Sequence, residues 1–417
     1  MRKEIISLLC VALVFVPLSL KAQDEDRPIT ITIWNPFTGG DGEFFNAMTK
    51  AFNAAQDDIL LEDTTKRFEG FYPLLNDELT AGMAPDIVVM NQSRLLSYVE
   101  EGYILSLDRY IPTTGIDLST FIPGPLADCR VDDSLYAIPL DVHPLIMYYN
   151  RDLFERAGVS KPPETFPELI SAAQAVQEET GAIGVAADNT SSTYKAYTLA
   201  RIFMSLLMQQ NTTVLNSSNT KANFNNSAGI RAYQVISDMI YRYQITPLGL
   251  DYDFSVSYFK TGMAGIHFNG VWVVGLFEEE ENLNFGTAKF PALLGENAAW
   301  SGSHIISIIK KESMDEEKIT AALSYIDWIT AHGELWAKAG HIPTRKTVFR
   351  KEEFQALPHR NEYADAVESS FVTPAIPQWT TCYRAMADML ESAIAKNMNA
   401  REALNKMEER INRILAE

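Results

Sequence analysis

Within the first sixty residues, the apolar positions recur first at the spacing of a strand and then at the spacing of a helix. Ile29, Ile31 and Ile33 alternate with threonines, which is the two-residue period of a strand with two different faces. Between Phe44 and Phe52 the apolar residues recur at helical spacing. We therefore predict a strand, a glycine-rich turn and an amphipathic helix, with free backbone N–H groups at the helix N-terminus.

The remainder of the chain continues this alternation of strands and helices. The predicted elements are a strand over residues 87–90, a helix over 94–101 stopped by Gly102, a helix from 167 to near Gly181 capped by Thr165, a helix over 228–243 capped by Ser227, a long helix opened by a capping box of Ser313 and Glu316, and a last helix opened by Asn399 and Glu402. Residues 211–226 are predicted to form a surface loop. The pattern predicts an α/β fold with helices on both sides of mostly parallel sheets.

The N-terminus has the pattern of an export signal. Arg2 and Lys3 precede an apolar run over residues 5–20, which is too short to span a bilayer permanently. We expect residues 1–22 to be a signal peptide that is cleaved near Ala22. Cys10 lies inside the apolar run after the large Leu9, so we interpret it as part of the signal and not as a lipid-attachment site. No second stretch approaches spanning length, and we expect a soluble periplasmic protein.

Composition narrows the classes of partner. The chain has 417 residues, 47% of them apolar, which is enough for two domains with sizeable cores. The net charge of −19 and the pI near 4.8 argue against nucleic acid and against an anionic membrane surface. We expect a monomer without a cofactor. Cys129 and Cys382 have no metal-ligand spacing, and their separation leaves open whether they pair.

The turn that follows the first strand carries candidate chemistry. Strand-to-helix turns at the carboxyl ends of strands are where open α/β sheets bind ligands. Trp34 and Phe37 place aromatic surface beside the polar Thr38, Gly40 and Asp41, which suits a sugar. The alternatives are that the glycines only make a tight turn and that the aspartate only caps its helix.

Six fragments, together with the export signal, resemble a known family. They are residues 34–41, 82–87, 136–143 with 148–150, 259–263 with 268–272, 300–304 and 339–345. In this order they are similar to the extracellular solute-binding proteins of ABC importers, in the carbohydrate-binding group that includes maltose-binding protein. The resemblance covers essentially the whole mature chain.

The resemblance implies a two-lobed clamp whose chain crosses between α/β lobes three times. It places residues 27–140 plus 300–355 in the N-terminal lobe and 141–299 plus 356–417 in the C-terminal lobe, with crossings at 138–143, near Trp300 and between 345 and 371. A sugar would lie in the cleft, favour closure and be delivered to a membrane permease that recognises the closed form.

The chemistry of a sugar site selects further candidates. A sugar ring needs a flat aromatic platform, and Trp272 and Trp300 lie beside glycines that would let a ring approach the backbone; the alternative is that both are core residues. Asp141 offers charged acceptors at the first crossing and is expected to contribute to affinity with little effect on stability. Asp41 and Asn91 would approach the same ligand from the other lobe.

Several more polar or aromatic residues lie inside these fragments or near the C-terminus. His143, His304 and His341 can donate and accept hydrogen bonds with a hydroxyl, or serve as structural histidines. Their wide spacing, without an HExxH motif, argues against zinc. The remaining candidates are Asn269; Arg345, whose alternative role is a plain salt bridge; and Trp379, a possible third platform.

Other functions stay open at this point. A secreted glycoside hydrolase would need a pair of carboxyl groups at a fixed separation, and no motif identifies such a pair. A binding protein for another polar solute, or a sugar sensor coupled to a membrane receptor, would share the same clamp.

Overall fold

A computed structural model describes residues 27–38 and 41–417, and within these residues fourteen strands and sixteen α-helices form. The signal peptide predicted for residues 1–22 and the candidate Gly40 lie outside the described residues. The strands are β1 (Ile29–Asn35), β2 (Ile59–Thr65), β3 (Ile87–Asn91), β4 (Arg130–Val131), β5 (Ser134–Leu135), β6 (Ile138–Pro139), β7 (Asp141–Asn150), β8 (Ile183–Ala186), β9 (Ala264–Gly270), β10 (Phe285–Lys289), β11 (Ala299–Gly302), β12 (His304–Ile308), β13 (Ile342–Pro343) and β14 (Ser370–Val372).

The helices are distributed along the whole described chain. They are α1 (Gly42–Ala55), α2 (Phe68–Ala81), α3 (Leu95–Glu100), α4 (Pro123–Ala127), α5 (Arg151–Arg156), α6 (Phe166–Thr180), α7 (Tyr197–Met208), α8 (Ser227–Ser237), α9 (Tyr252–Lys260), α10 (Val274–Glu278), α11 (Glu316–Ala331), α12 (Gly333–Ala337), α13 (Glu352–Gln355), α14 (Arg360–Tyr363), α15 (Trp379–Ala395) and α16 (Ala400–Leu415). None of the helices in this part of the chain has both the length and the apolar character that a membrane span requires.

Two large sheets organise the molecule. The first has the order β2-β1-β3-β12-β6, and the second has the order β14-β11-β7-β9-β8, with β10 and β13 also paired to β7. The apolar cluster around the first sheet is built from residues between 31 and 140 and between 305 and 339. Two clusters cover the second sheet, and they contain residues between 142 and 300, Ile342, Tyr363 and residues of the last two helices. Each sheet therefore has its own core.

Two crossings between the sheets are one residue long. Leu140 separates β6 of the first sheet from β7 of the second, and Ser303 separates β11 of the second from β12 of the first. Leu140 lies within, and Ser303 close to, the segments where the family resemblance implied crossings. The third passage starts earlier than predicted, because Ile342 and Pro343 already pair with β7.

The exact division into lobes stays a prediction. Pairing of β11 with β7 and β14 favours a return to the first lobe at Ser303 rather than at residue 300. The pairing of β13 with β7 indicates that this second segment of the first lobe ends before Ile342 rather than at residue 355.

Most strands of each large sheet run in the same direction, as predicted, but one strand in each runs against the others. Strand β7 is antiparallel to β9, β10, β11 and β13, and β12 is antiparallel to both of its neighbours. Helical crossovers within one sheet produce parallel neighbours. Strands β7 and β12 instead enter their sheets directly from the other lobe, so that rule does not apply to them.

The capping signals identified two helices correctly. Thr165 and Glu168 form a reciprocal capping box at the start of α6, which ends at Gly181 in a left-handed conformation with φ 74°. Asn399 caps α16 by accepting a hydrogen bond from the backbone N–H of Glu402.

Two other capping predictions were wrong by one or two residues. Asp315, not Ser313, caps α11 by accepting from the backbone N–H of Lys318. Asn226, not Ser227, caps α8. In both cases the amide or carboxylate oxygen accepts from free N–H groups of the first turn, and these residue types cap at least as well as serine.

Candidate functional site

The three passages between the sheets meet at one carboxylate. Asp141 is the first residue of β7, His304 the first of β12, and His341 the residue before β13. The side chain of Asp141 is fully buried. Residues separated by up to two hundred positions in the chain thus surround a single buried negative charge.

Hydrogen bonds occupy both oxygens of this carboxylate. Its Oδ1 accepts from His143 Nδ1 at 2.8 Å and from the His304 backbone N–H at 3.1 Å. Its Oδ2 accepts from His304 Nδ1 at 2.8 Å and from Trp336 Nε1 at 2.7 Å. An ionised carboxylate only accepts, so each bonded imidazole donates from Nδ1.

The electrostatics follow from this arrangement. Burial by itself would raise the pKa of Asp141, but the surrounding histidines, His304 foremost, and the hydrogen bond from His143 hold that pKa well below its usual range. Burial and the neighbouring His304 lower the pKa of His143 to about 3. At neutral pH the site therefore contains an anionic carboxylate and a neutral His143.

Close packing fixes the imidazoles. The ring of His341 stacks on Trp336 with centroids 4.4 Å apart and an interplanar angle of 9°. A Cβ atom at Gly302 would lie 2.0 Å from His143 Nε2, so only glycine fits there. The sequence interpreted Gly302 as room for a sugar ring beside Trp300; in the structure it makes room for His143.

An aromatic wall adjoins this cluster in the second lobe. The ring centroid of His143 lies 5.9 Å from that of Trp272 and 6.2 Å from that of Trp300. The guanidinium of Arg201, on α7, lies 4.8 Å from the first indole centroid and 4.7 Å from the second. Trp272 is half-buried, and its Nε1 donates to Tyr252 Oη at 3.0 Å.

Several polar atoms in this wall lack a partner among the described residues. They are Trp300 Nε1, Arg201 Nε and Asp188 Oδ1, all of them buried. Burial raises the pKa of Asp188 to about 6, opposed by Thr198 and Arg201. Unpaired buried polar atoms are costly, so a hydrogen-bond partner would stabilise each of them.

The candidates from the first lobe occupy varied environments. Phe37 is buried against Phe45, Trp336 and His304. Asp41 makes no side-chain cap to α1, and its Oδ2 lies 3.7 Å from His341 Nε2. Asp41 and Asp141 thus approach the same imidazole from opposite sides.

Other first-lobe candidates lie farther from this cluster or have partners of their own. Trp34 is half-buried beneath Lys66, whose Nζ lies 4.3 Å from an indole ring centroid, and Thr38 is exposed. The amide nitrogen of Asn91 donates to Tyr72 Oη at 3.2 Å.

Three further candidates bond to or pack against other side chains of the protein. Arg345 pairs with Asp327 and donates from Nε to Thr330 Oγ1 at 3.0 Å, which matches its salt-bridge alternative. Trp379 is 2% exposed in the core of the second lobe. Asn269 is fully buried and donates to His267 Nε2 at 3.1 Å. Their roles as ligand contacts stay predictions.

The structure changes one expectation for Asp141. The sequence suggested a ligand contact with little effect on stability, but a fully buried carboxylate with four hydrogen bonds is part of the fold. The residues that the sequence missed are Arg201, Trp336 and Asp188. Arg201 carried a signal, since it is the only charged residue in the apolar α7.

Comparison with known proteins identifies the chain. The model of the bacterial extracellular solute-binding protein family matches residues 47–362, well over half of the sequence. The chain belongs to this family. The family resemblance inferred from the six fragments is therefore confirmed.

Relatives of this solute-binding protein span most of its length. The arabinooligosaccharide-binding protein of Bacillus subtilis is 24% identical over 359 residues, covering 83% of this chain and 79% of the relative. The sn-glycerol-3-phosphate-binding periplasmic protein of Rhizobium meliloti is 22% identical over 351 residues, covering 79% and 78%. The cyclic alpha-maltosyl-1,6-maltose binding protein from Arthrobacter globiformis shares the fold, with a TM-score of 0.79, 23% identity and coverage of 93% and 99%.

We predict that Asp141→Asn destabilises the protein by on the order of 3–5 kcal/mol, because the amide replaces an acceptor with a donor among buried donors. Denaturant unfolding at pH 7 measures this. Asp365→Asn is the matched control, since it loses one exposed ion pair to Lys289 and should change little. A loss below about 1 kcal/mol for Asp141→Asn would contradict the structural role.

We also predict an acid-sensitive contribution from His267. Burial lowers its pKa to about 4, opposed by the hydrogen bond to the Ala186 carbonyl at 2.8 Å. The histidine of the unfolded chain has a pKa near 6.5, so between pH 4 and 6.5 the unfolded chain binds more protons than the folded one. The free energy of unfolding therefore decreases as the pH is lowered, by up to about 1.4 kcal/mol per pH unit. The unfolding free energy of His267→Phe, measured across pH 4–7, should depend less steeply on pH than that of the wild type, whatever its absolute value. Equal pH dependence of the two proteins would refute the assignment.

Proposed function

We propose that this protein binds a sugar between its lobes and delivers it to the permease of an ABC importer. The observation that carries the proposal is the wall of Trp272, Trp300 and Arg201 beside the interlobe cluster, with unpaired buried polar atoms around it. Indole faces suit the apolar face of a sugar ring, and the unpaired atoms suit its hydroxyls. The named sugar-binding relatives support the same class of ligand.

Closure gives such a site its function. The wall belongs to the second lobe, whereas Asp41 and His304 come from elements of the first. A solute that contacts both lobes only when they are together shifts the population towards the closed form by its differential affinity. The permease would recognise that closed form. Export across the inner membrane and action as a monomer belong to the same proposal.

A second candidate ligand is an anionic polar solute. Arg201 offers a guanidinium between two indole rings, and the R. meliloti relative is named for a phosphate-bearing solute. An acidic sugar would satisfy both the aromatic wall and this positive charge. A neutral sugar would use the guanidinium as a hydrogen-bond donor only.

A ligand screen tests the proposal directly. Melting temperature would be followed with neutral mono- and oligosaccharides, acidic sugars and glycerol phosphate, since a ligand at about 100 times its Kd adds about 2.7 kcal/mol. A sugar that raises the melting temperature supports the proposal, and recovery of the same sugar intact after incubation separates binding from hydrolysis. Stabilisation by glycerol phosphate alone would replace the sugar assignment.

We predict that Trp272→Ala weakens binding of the sugar found in this screen by about 1–3 kcal/mol, by analogy with aromatic stacking on bases. Trp328→Ala is the matched control, because Trp328 is also half-buried but stacks on His332 in the first lobe. Calorimetric titration of both variants gives the affinities. Unchanged affinity for Trp272→Ala, or an equal loss in the control, would show that Trp272 is not the platform.

A further inference from the structure

We propose that Asp141, His143, His304 and His341 form a binding site for a zinc-like divalent cation at the junction of the three interlobe passages. One ligand atom from each residue lies within 4.8 Å of the others, and all four side chains are buried. This proposal is independent of which solute the cleft binds.

The set of donors matches the chemistry of zinc. Three imidazole nitrogens and one carboxylate oxygen are ligands that Zn²⁺ prefers, at 2.0–2.2 Å and in tetrahedral geometry. Ligand atoms at that radius stand roughly 3.3 Å apart. The Asp141 oxygens lie 2.8, 2.8 and 3.2 Å from the Nδ1 atoms of His143, His304 and His341. All four ligand atoms lie within 4.8 Å of one another, so modest rearrangement of these side chains would bring them to a common coordinating separation.

His341 supplies a second observation that points to a ligand. It is 1% exposed, and neither ring nitrogen forms a hydrogen bond within residues 27–38 and 41–417. Its Nδ1 faces Asp141 Oδ2 at 3.2 Å without hydrogen-bond alignment. A buried imidazole with two unpaired nitrogens is costly, and a cation at Nδ1 would remove that cost.

The surroundings would orient these ligands. Trp336 Nε1 holds Asp141 Oδ2 at 2.7 Å, which fixes the carboxylate. Cation binding at Nδ1 requires an imidazole to carry its remaining proton on Nε2. For His341 that proton would face Asp41 Oδ2, now 3.7 Å away. A carboxylate behind a ligating histidine is the usual support of a metal site.

The sequence argued against zinc because the three histidines are far apart along the chain. The fold brings them together, so that argument no longer applies. The ligands lie at or within a few residues of the ends of the three interlobe passages, so a bound cation would connect the passages directly. We infer that cation occupancy stabilises the geometry of the junction and thereby the relative placement of the lobes.

Direct metal titration tests this proposal on the mature protein. Chelator-treated protein would be titrated with ZnCl₂ against a chromophoric competitor, and Co²⁺ would report tetrahedral coordination by its visible absorption. A parallel sample would be unfolded and refolded with zinc, so that burial of the site cannot explain a negative result. We expect one equivalent of zinc, a higher melting temperature and tetrahedral cobalt bands.

Variants distinguish this site from adventitious binding. His341→Gln removes no hydrogen bond from the fold. Combined with His143→Gln, it should lower zinc affinity more than roughly a hundredfold. The reason is that loss of even a residue that only hydrogen-bonds to a metal ligand lowers metal affinity roughly 10–100-fold. His332→Gln is the control, since this ring bonds to the Trp328 carbonyl outside the cluster. Absence of saturable binding in both samples, or equal affinity in His341→Gln and wild type, would overturn the proposal.

Discussion

A carboxylate without access to water has to find its hydrogen-bond donors within the protein, and at Asp141 this requirement shapes the junction between the lobes. The donors come from β7, from β12 and from the tryptophan of α12. If any of these segments moved away, a buried charge would lose a partner, at a cost of several kcal/mol. The carboxylate therefore fixes where the chain can pass from one sheet to the other.

This constraint explains why the candidate solute site lies where it does. The two short crossings at Leu140 and Ser303 bring the strands that carry His143 and Trp300 side by side, as the pairing of β11 with β7 shows. Trp272 follows β9, which also pairs with β7. The aromatic wall thus stands on the same rigid strands as the junction. In the proposed closure, the first lobe would cover this wall.

Periodicity and capping motifs predicted the alternation of strands and helices and two of the caps, because local sequence determines these features. The two lobes and the first two crossings were implied by the resemblance to the family. Local patterns could not predict the antiparallel pairing of β7 and β12, since nothing local records that a strand enters from the other lobe. The same limit applied to the site. Asp141 and His304 were recognised as polar residues in suggestive fragments, but their mutual contact is a property of the tertiary fold. For the same reason Gly302 was interpreted as room for a sugar ring, whereas its neighbour is the imidazole of His143.

Amide hydrogen exchange in the wild type and in Asp141→Asn tests the central claim most directly. The claim is that one buried carboxylate secures all three interlobe passages. It predicts that the substitution accelerates exchange together at residues 141–143, 303–305 and 340–343, while the strand pair β1–β2, remote from the junction, keeps its protection. Faster exchange confined to residues 141–143, with the other two passages unchanged, would show that the passages are secured independently and would contradict the account.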